Sequence, residues 1–294
     1  MARIRMSAIF VSVSVLAAPG AFAAPTSTPD PYHELETHYL FGFTEGADIG
    51  AQGEQAAEFE TTTKWGRRGG VYATLEQEVE YESVPTQNFG YELSAHGFAH
   101  AINGVTGATD ADGVHFSGLS TELRYLVLGR GPGSPFGLTL TASPEWARVD
   151  DFGQRETDLS TTFKAVADTE LIPNRLYAAA NLIYSPDVAR SPVDPWRQSS
   201  TLGVTGGLAY RVSPKITLGG GAQVYGAFDG LFAKSWRGDA LFLGPTLHVQ
   251  FTPKIMLAAA WSTQVAGRVA GDSRGLNLDD FSHQSGNLKL EFEF

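Results

Sequence analysis

Glu76, Glu78, Glu80 and Glu82 stand on alternate positions of one segment. In an extended chain they share one face and span ~20 Å at ~3.3 Å per residue. Glu58, Glu60 and Glu92 lie in the neighbouring segments. Hairpin registers predict Glu60 opposite Glu76 and Glu58 opposite Glu78, then Glu80 opposite Glu92 and Glu76 opposite His96. Like charges facing one another destabilise a sheet. They persist only where water, a counter-ion or a cationic partner is within reach. Arg124, Lys164, Arg211 and Lys289 fall on the same kind of position in other segments. The chemistry implied is electrostatic: opposed walls of fixed charge that orient polar solutes and penalise apolar ones.

Other combinations fall short of a reactive centre. His96 and His100 on one strand stand ~13 Å apart, too far to share an ion with ~2 Å bonds. Thr109-Asp110-Ala111-Asp112-Gly113 lacks the remaining ligand positions of a calcium loop. His283 and Ser285 offer a base and a nucleophile, which also require a third, orienting group. Gly219-Gly220-Gly221 has no Lys-Ser/Thr and no helix after it, so it reads as a close strand approach rather than a phosphate loop. There is no Cys among the 294 residues, hence no thiolate site or disulfide. With 32 Asp and Glu against 21 Lys and Arg, a nucleic-acid partner is excluded. No cofactor and no catalysed reaction are expected.

The elements that must carry these residues are strands. Val71, Ala73, Leu75, Val79 and Tyr81 alternate with polar neighbours, and the same period of two recurs in Leu202–Val212, Leu243–Phe251, Ile255–Val265 and Asn287–Phe294. Twelve segments follow: Ala57–Trp65, Val71–Ser83, Phe89–Ile102, Leu119–Leu128, Gly137–Val149, Leu159–Asp168, Leu176–Tyr184, Thr201–Val212, Ile216–Gly226, Leu241–Phe251, Ile255–Val265 and Ser285–Phe294. A sandwich would alternate too. Here the polar face is small and hydrated. Trp65, Tyr81, Tyr91, Trp146, Tyr210 and Phe251 cluster near segment ends, and the last residue is an apolar-phase Phe294. The fold class expected is all-β, a closed antiparallel transmembrane barrel of about twelve strands. Closure is required because an open edge in hydrocarbon leaves backbone groups unsatisfied. Short connections such as Ser213-Pro214-Lys215 face long ones such as Asn103–Ser117 and Ala266–Gln284, the asymmetry of periplasmic turns and outer loops. Gly66–Gly70 is short on the outer side.

Arg3 and Arg5, the apolar run Met6–Ala18 and the small residues Ala21 and Ala23 describe a cleavable secretory signal over residues 1–23. Residues 24–54 form a periplasmic arm, a further strand around Tyr39–Phe43, or a plug, and 55–294 the barrel.

The ending Leu288-Lys289-Leu290-Glu291-Phe292-Glu293-Phe294 resembles the last strand of Gram-negative outer-membrane porin-like proteins. The resemblance implies residence in the outer membrane, contact with its lipid, and delivery to barrel-assembly machinery through that strand. Phe41-Gly42-Phe43-Thr44-Glu45-Gly46 and Gly244-Pro245-Thr246 carry a second resemblance, to the putative outer-membrane family named after the MetA pathway of phenol degradation. It implies passage or sensing of small solutes. The expected function is a porin-like channel for passive transport of small solutes through a charged lumen. One alternative is a plugged structural or receptor barrel in which the carboxylates pair with the cations or the N-terminal arm. Another is a lipid hydrolase, since barrel hydrolases carry a similar His-x-Ser run. There His283 and Ser285 would have to face lipid, whereas the parity of Leu288, Leu290 and Phe292 turns them inward.

Overall fold

The computed structural model describes residues 35–131 and 134–294. The expected signal at 1–23 and the start of the following arm lie outside the described residues.

Twelve strands run in sequence order: β1 (Gln55–Trp65), β2 (Val71–Thr86), β3 (Phe89–Asn103), β4 (Ala111–Leu128), β5 (Phe136–Val149), β6 (Arg155–Ile172), β7 (Leu176–Arg190), β8 (Arg197–Ser213), β9 (Ile216–Asp229), β10 (Ser235–Thr252), β11 (Ile255–Val269) and β12 (Gln284–Glu293). Each pairs antiparallel with its neighbours, and β1 with β12, so the sheet closes. No described residue lies in a helix. The burial pattern is inverted relative to a soluble protein. Val79, Leu93, Leu140, Leu182, Val204, Leu208, Leu243 and Leu288 are exposed outside, while Glu58, Thr141, Asn181, Thr205, Gln223 and Gln264 are buried inside. A continuous band of exposed Leu and Val on the wall is what hydrocarbon solvates. This is a transmembrane β-barrel.

Several strands run further toward the loop end than periodicity suggests. β4 begins at Ala111 rather than Leu119 because a bulge at Ser117, between the pairs His96–Gly118 and Gly97–Phe116, reverses the parity. Val114 and Phe116 face outward on one side of it and Leu119 on the other, all exposed. A period-two search breaks there. The expected long loops shrink accordingly; the longest is the β11–β12 connection, residues 270–283.

Both predicted hairpin registers are off by two residues. Glu60 faces Glu78 and Glu58 faces Glu80, since Trp65 pairs with Ala73 rather than Val71. Gly66, Gly69 and Gly70 adopt φ of 77°, 72° and 50°. The Gly66 N–H donates to the Tyr72 carbonyl at 3.1 Å, so the turn consumes two more residues. Across β2–β3, Glu82 faces Glu92, Glu78 faces His96 and Glu80 faces Ser94, with a bulge between Ser83 and Thr86. A shift of two keeps every side chain on its face, and the acidic wall survives the correction.

Tyr39–Phe43 adds no strand to the barrel: Phe41 makes only an isolated bridge to Thr44 in a turn. The described part of the arm lies inside the barrel. Leu35, Leu40 and Phe41 pack on Tyr177, Ala179 and Ala209 of the wall. A Cβ at Gly207 would stand 2.9 Å from that of Phe41, so this stretch of β8 needs glycine to admit the ring. Gly219 is likewise a close approach, where a Cβ would meet the Leu208 carbonyl oxygen at 2.4 Å.

Lipid solvation of the wall makes a charge cost more at mid-strand than at a strand end. Val204→Arg is expected to destabilise by about 2–4 kcal/mol and Val212→Arg by about 1 kcal/mol or less in urea unfolding from bilayers. Equal costs at the two depths would contradict lipid exposure of this face.

Candidate functional site

The acidic wall is built by alternate residues of β1 and β2, and closure of the barrel brings β12 beside it. Lys289 therefore does not belong to an opposing wall. Its Nζ lies 2.8 Å from Glu58 Oε2, 3.0 Å from Glu60 Oε2 and 3.2 Å from Glu80 Oε1. It also lies 4.1 Å from the centroid of the Tyr39 ring. The Tyr39 hydroxyl donates to Glu58 Oε1 at 3.0 Å. One ammonium thus serves three carboxylates, two of them, Glu58 and Glu80, buried.

Arg124 and Lys164 likewise sit among carboxylates instead of facing them across the lumen. Arg124, fully buried, reaches Glu122 at 2.9 Å and Glu45 at 3.7 Å, and donates to the Asp48 carbonyl at 3.0 Å and to His38 Nε2. Lys164 pairs with Glu122 at 3.0 Å and with Glu45. Arg130 contacts Asp48 and, at 3.2 Å, Asp168, which also accepts from Thr37 Oγ1 and from the Ala47 N–H at 3.0 Å. The transverse field expected from segregated charge is therefore largely cancelled at this depth. The cations instead fasten residues 37–48 to the wall. Arg211 donates to the Pro214 carbonyl at 2.8 Å, near the β8–β9 turn.

Glu122 shares the parity of Arg124 two residues on and was readable from the alternation; Glu45, Asp48 and Arg130 lie outside any alternating segment and carried no such signal. Burial first, then the Arg124 and Lys289 charges, holds His38 well below its ordinary value. Neutral, it can accept from Arg124. Its contribution to the folded state is present above the unfolded imidazole value and is lost as pH falls below it. Glu36 behaves oppositely: burial and then the Glu291 and Glu54 carboxylates raise it well above the usual range, so acid favours its seat.

Toward the loop end the wall opens. His96 lies between Glu76 (3.2 Å) and Glu78 (3.4 Å) and bonds Ser120 Oγ at 2.8 Å. Glu82 and Glu92 face each other deeper in and each keeps a buried oxygen without a hydrogen-bond partner among the described residues. His100 packs on Phe98 and His115, apart from His96. Asp110 accepts from Asn103 and from the Gly104 N–H, both at 2.8 Å, and so caps its own loop. Ser285 lines the interior, and no hydrogen bond joins it to His283 among the described residues. His38, Glu92 and Glu122 bring ligand atoms within 4.8 Å of one another, as do Glu60, Glu78 and Glu80, and Glu36, Glu54 and Glu293. Arg124 and Lys289 already supply the positive charge in the first two.

Three cavities of about 540, 260 and 460 Å³ occupy the interior above the inserted segment. They share lining residues: Glu60 joins the first two, Glu76 and Asp151 the first and third, Glu145 the second and third. Their combined walls carry nine Glu and six Asp against three Lys and three Arg. Asp151, in the β5–β6 connection, meets Lys64 at 3.3 Å and Arg67 at 3.7 Å, and the Lys64 charge above all holds its carboxyl below the usual range.

Removing the shared ammonium strands buried charge. Lys289→Met is expected to cost about 3–5 kcal/mol in urea unfolding. Adding Glu58→Gln and Glu80→Gln should recover at least half of that. No recovery in the triple variant would contradict the charge-sharing arrangement.

Among solved structures, the fold is similar to the COG4313 outer membrane channel from Pseudomonas putida F1, with 13% identity over 84% of this chain and 98% of that one and a TM-score of 0.52. It is similar, too, to the translocator domain of the autotransporter NalP from Neisseria meningitidis, with 16% identity, 84% and 91% coverage and a TM-score of 0.52. The KdgM porin in complex with disordered oligogalacturonate is a more distant likeness: 10% identity, 81% and 99% coverage, TM-score 0.46. At such identities the likeness is one of fold, and that fold is the outer-membrane barrel. No curated protein matches the sequence. Residues 33–294 match, over nearly the whole chain, the Family of unknown function (DUF6662), and the chain belongs to that family.

Proposed function

We propose that this protein is an outer-membrane channel that prefers cations, with residues 35–50 acting as a displaceable plug in the half of the lumen nearer Phe294. The observation that carries the reading is the charge imbalance of the adjoining cavities, fifteen carboxylates against six Lys and Arg. Fixed negative charge in a narrow aqueous space raises the local cation concentration and lowers that of anions. The residues proposed to line the path are Glu60, Glu76, Glu78 and Glu145, half-buried side chains that present oxygens to the cavities. Glu58, Glu80, Glu82, Glu92, Arg124 and Lys289 are buried beneath or beside the inserted segment and set its seat.

The plug is fastened mainly by ion pairs of Glu45 and Asp48 and by hydrogen bonds from Thr37 to Asp168 and from Tyr39 to Glu58, with a small apolar contact at Leu35, Leu40 and Phe41. Contacts of this kind weaken when one partner is lost or salt is raised. That is the argument for displacement rather than permanent closure. A permanently closed structural barrel is the second reading, favoured by the complete burial of Arg124 under the segment.

Single-channel recording separates the two. Wild-type protein is expected to give small, infrequent conductance steps. Glu45→Gln, which removes the carboxylate shared by Arg124 and Lys164, should raise step frequency severalfold. Glu76→Gln with Glu78→Gln should lower the preference for K⁺ over Cl⁻. Absence of steps from both wild type and Glu45→Gln would establish the closed barrel.

A further inference from the structure

The largest of the three cavities has two chemically different walls. On one side Tyr225 of β9, Phe242 of β10 and Phe281 of the 270–283 connection pack together with ring centroids 6.2, 6.1 and 6.4 Å apart. The inserted segment adds Phe43 from below. On the other side stand Glu60 and Glu76 with the hydroxyl and amide groups of Thr62, Ser285 and Asn287.

Both walls are built. A Cβ at Gly203 would lie 2.7 Å from the Tyr225 ring, so the ring rests directly on glycine backbone. The 270–283 connection is drawn into the barrel by Gln264, which accepts from the Asn277 N–H at 2.6 Å and donates to the Asn277 carbonyl at 3.1 Å. Asp280 is held by Arg237 and by Asn277 Nδ2 at 2.9 Å. Phe281 is thereby fixed inside rather than left on a loop tip.

The chamber's carboxylates share their cations. Glu60 Oε2 shares the Lys289 ammonium with Glu58 and Glu80 while its Oε1 accepts from Asn287 Nδ2 at 2.6 Å and Thr62 Oγ1 at 3.3 Å, and Glu76 shares His96 with Glu78. Glu60 and Glu76 keep 23% and 21% of their side chains accessible, against 0% and 4% for Glu58 and Glu80, so an occupant reaches Glu76 through the oxygen that His96 leaves free and Glu60 in exchange for its neutral Asn287 and Thr62 donors. The two basic groups on the wall are engaged elsewhere: Lys64 and Arg67 turn to Asp151, and the Arg67 guanidinium lies 5.4 and 5.3 Å from the Tyr72 and Phe152 ring centroids.

We propose that this chamber binds small organic cations, with the ammonium group between Glu60 and Glu76 and the apolar body against the Tyr225–Phe242–Phe281 rings. An aromatic face attracts a cation electrostatically and its apolar substituents by dispersion. A metal ion would use the carboxylates and leave the ring wall idle. A neutral apolar solute would use the rings and face the carboxylates at a desolvation cost, and an anion is repelled outright. Only an organic cation uses both walls. A volume of about 540 Å³ suits a body of one ring or a few carbons beyond the charged group. The inference rests on the channel reading for entry of solute from the loop end and extends it to a substrate class.

Titration of folded protein in detergent with benzyltrimethylammonium, benzyl alcohol and benzoate tests it, read by calorimetry or saturation-transfer NMR. The cation is expected to bind about tenfold or more tightly than the alcohol, with benzoate unbound. Glu76→Gln and Phe281→Leu should each weaken the cation about three- to tenfold, while the alcohol's affinity follows only the Phe281 change. Heat-modifiable migration verifies that both variants fold; where one does not, Glu60→Gln replaces Glu76→Gln and Tyr225→Leu replaces Phe281→Leu. Equal affinity for cation and alcohol, cation affinity unmoved by both variants, or no binding of the cation overturns the proposal. The assay needs no conduction. Binding without conductance steps defeats the channel and leaves the site, whereas steps without binding defeat the site and leave the channel.

Discussion

A closed barrel allows its inward carboxylates no escape. Wall curvature and the period of two fix where each side chain points, and the lipid outside forbids any rotation that would carry a charge outward. Each inward Glu must therefore find a cation, a hydrogen-bond donor or water within the lumen. The interior divides according to which of these it finds. Nearer Phe294, Lys289, Arg124, Lys164 and Arg130 are shared among more carboxylates than they can neutralise, and residues 37–48 supply the remaining donors. Nearer the loops the 270–283 connection enters beside β10 and β11, and the carboxylates of β1 and β2 face cavities that share lining residues.

The inserted segment and the charged wall are therefore one system. Glu45 and Asp48 bring two further negative charges into the barrel, yet they are what draws Arg124, Lys164 and Arg130 inward. The small apolar patch at Leu40 and Phe41 depends on Gly207, whose missing side chain leaves room for the ring. Ion pairs set the height and orientation of the segment, and the glycine wall sets how closely it approaches. A lumen built this way carries charge at every level, and the segment inserted in it is fastened mainly by electrostatic contacts.

Much of the architecture was legible in the sequence because lipid imposes a regular pattern on it. Twelve segments, their order and the inward face of Glu58, Glu76 and Lys289 follow from alternation, and closure follows from the cost of an open sheet edge in lipid. Three features were not legible, each for a physical reason. The bulge at Ser117 reverses parity within one strand, so the first eight residues of β4 read as loop. The β1–β2 register depends on how many residues the Gly66–Gly70 turn absorbs, and two glycine conformers more or less leave the alternation unchanged. Closure places β12 beside β1, so Lys289 stands within the acidic wall although the linear order puts it far away. The partners on the inserted segment had no periodic signal, because an irregular chain held by side-chain contacts leaves none.

The central claim is that excess negative charge faces a solvent-filled lumen. The zero-current potential across a planar bilayer holding the wild-type protein, under a tenfold KCl gradient, tests it most directly. The account predicts a potential of cation-selective sign that shrinks as total salt is raised and the wall charge is screened. A potential of anion-selective sign, or one that does not change with salt, would contradict it.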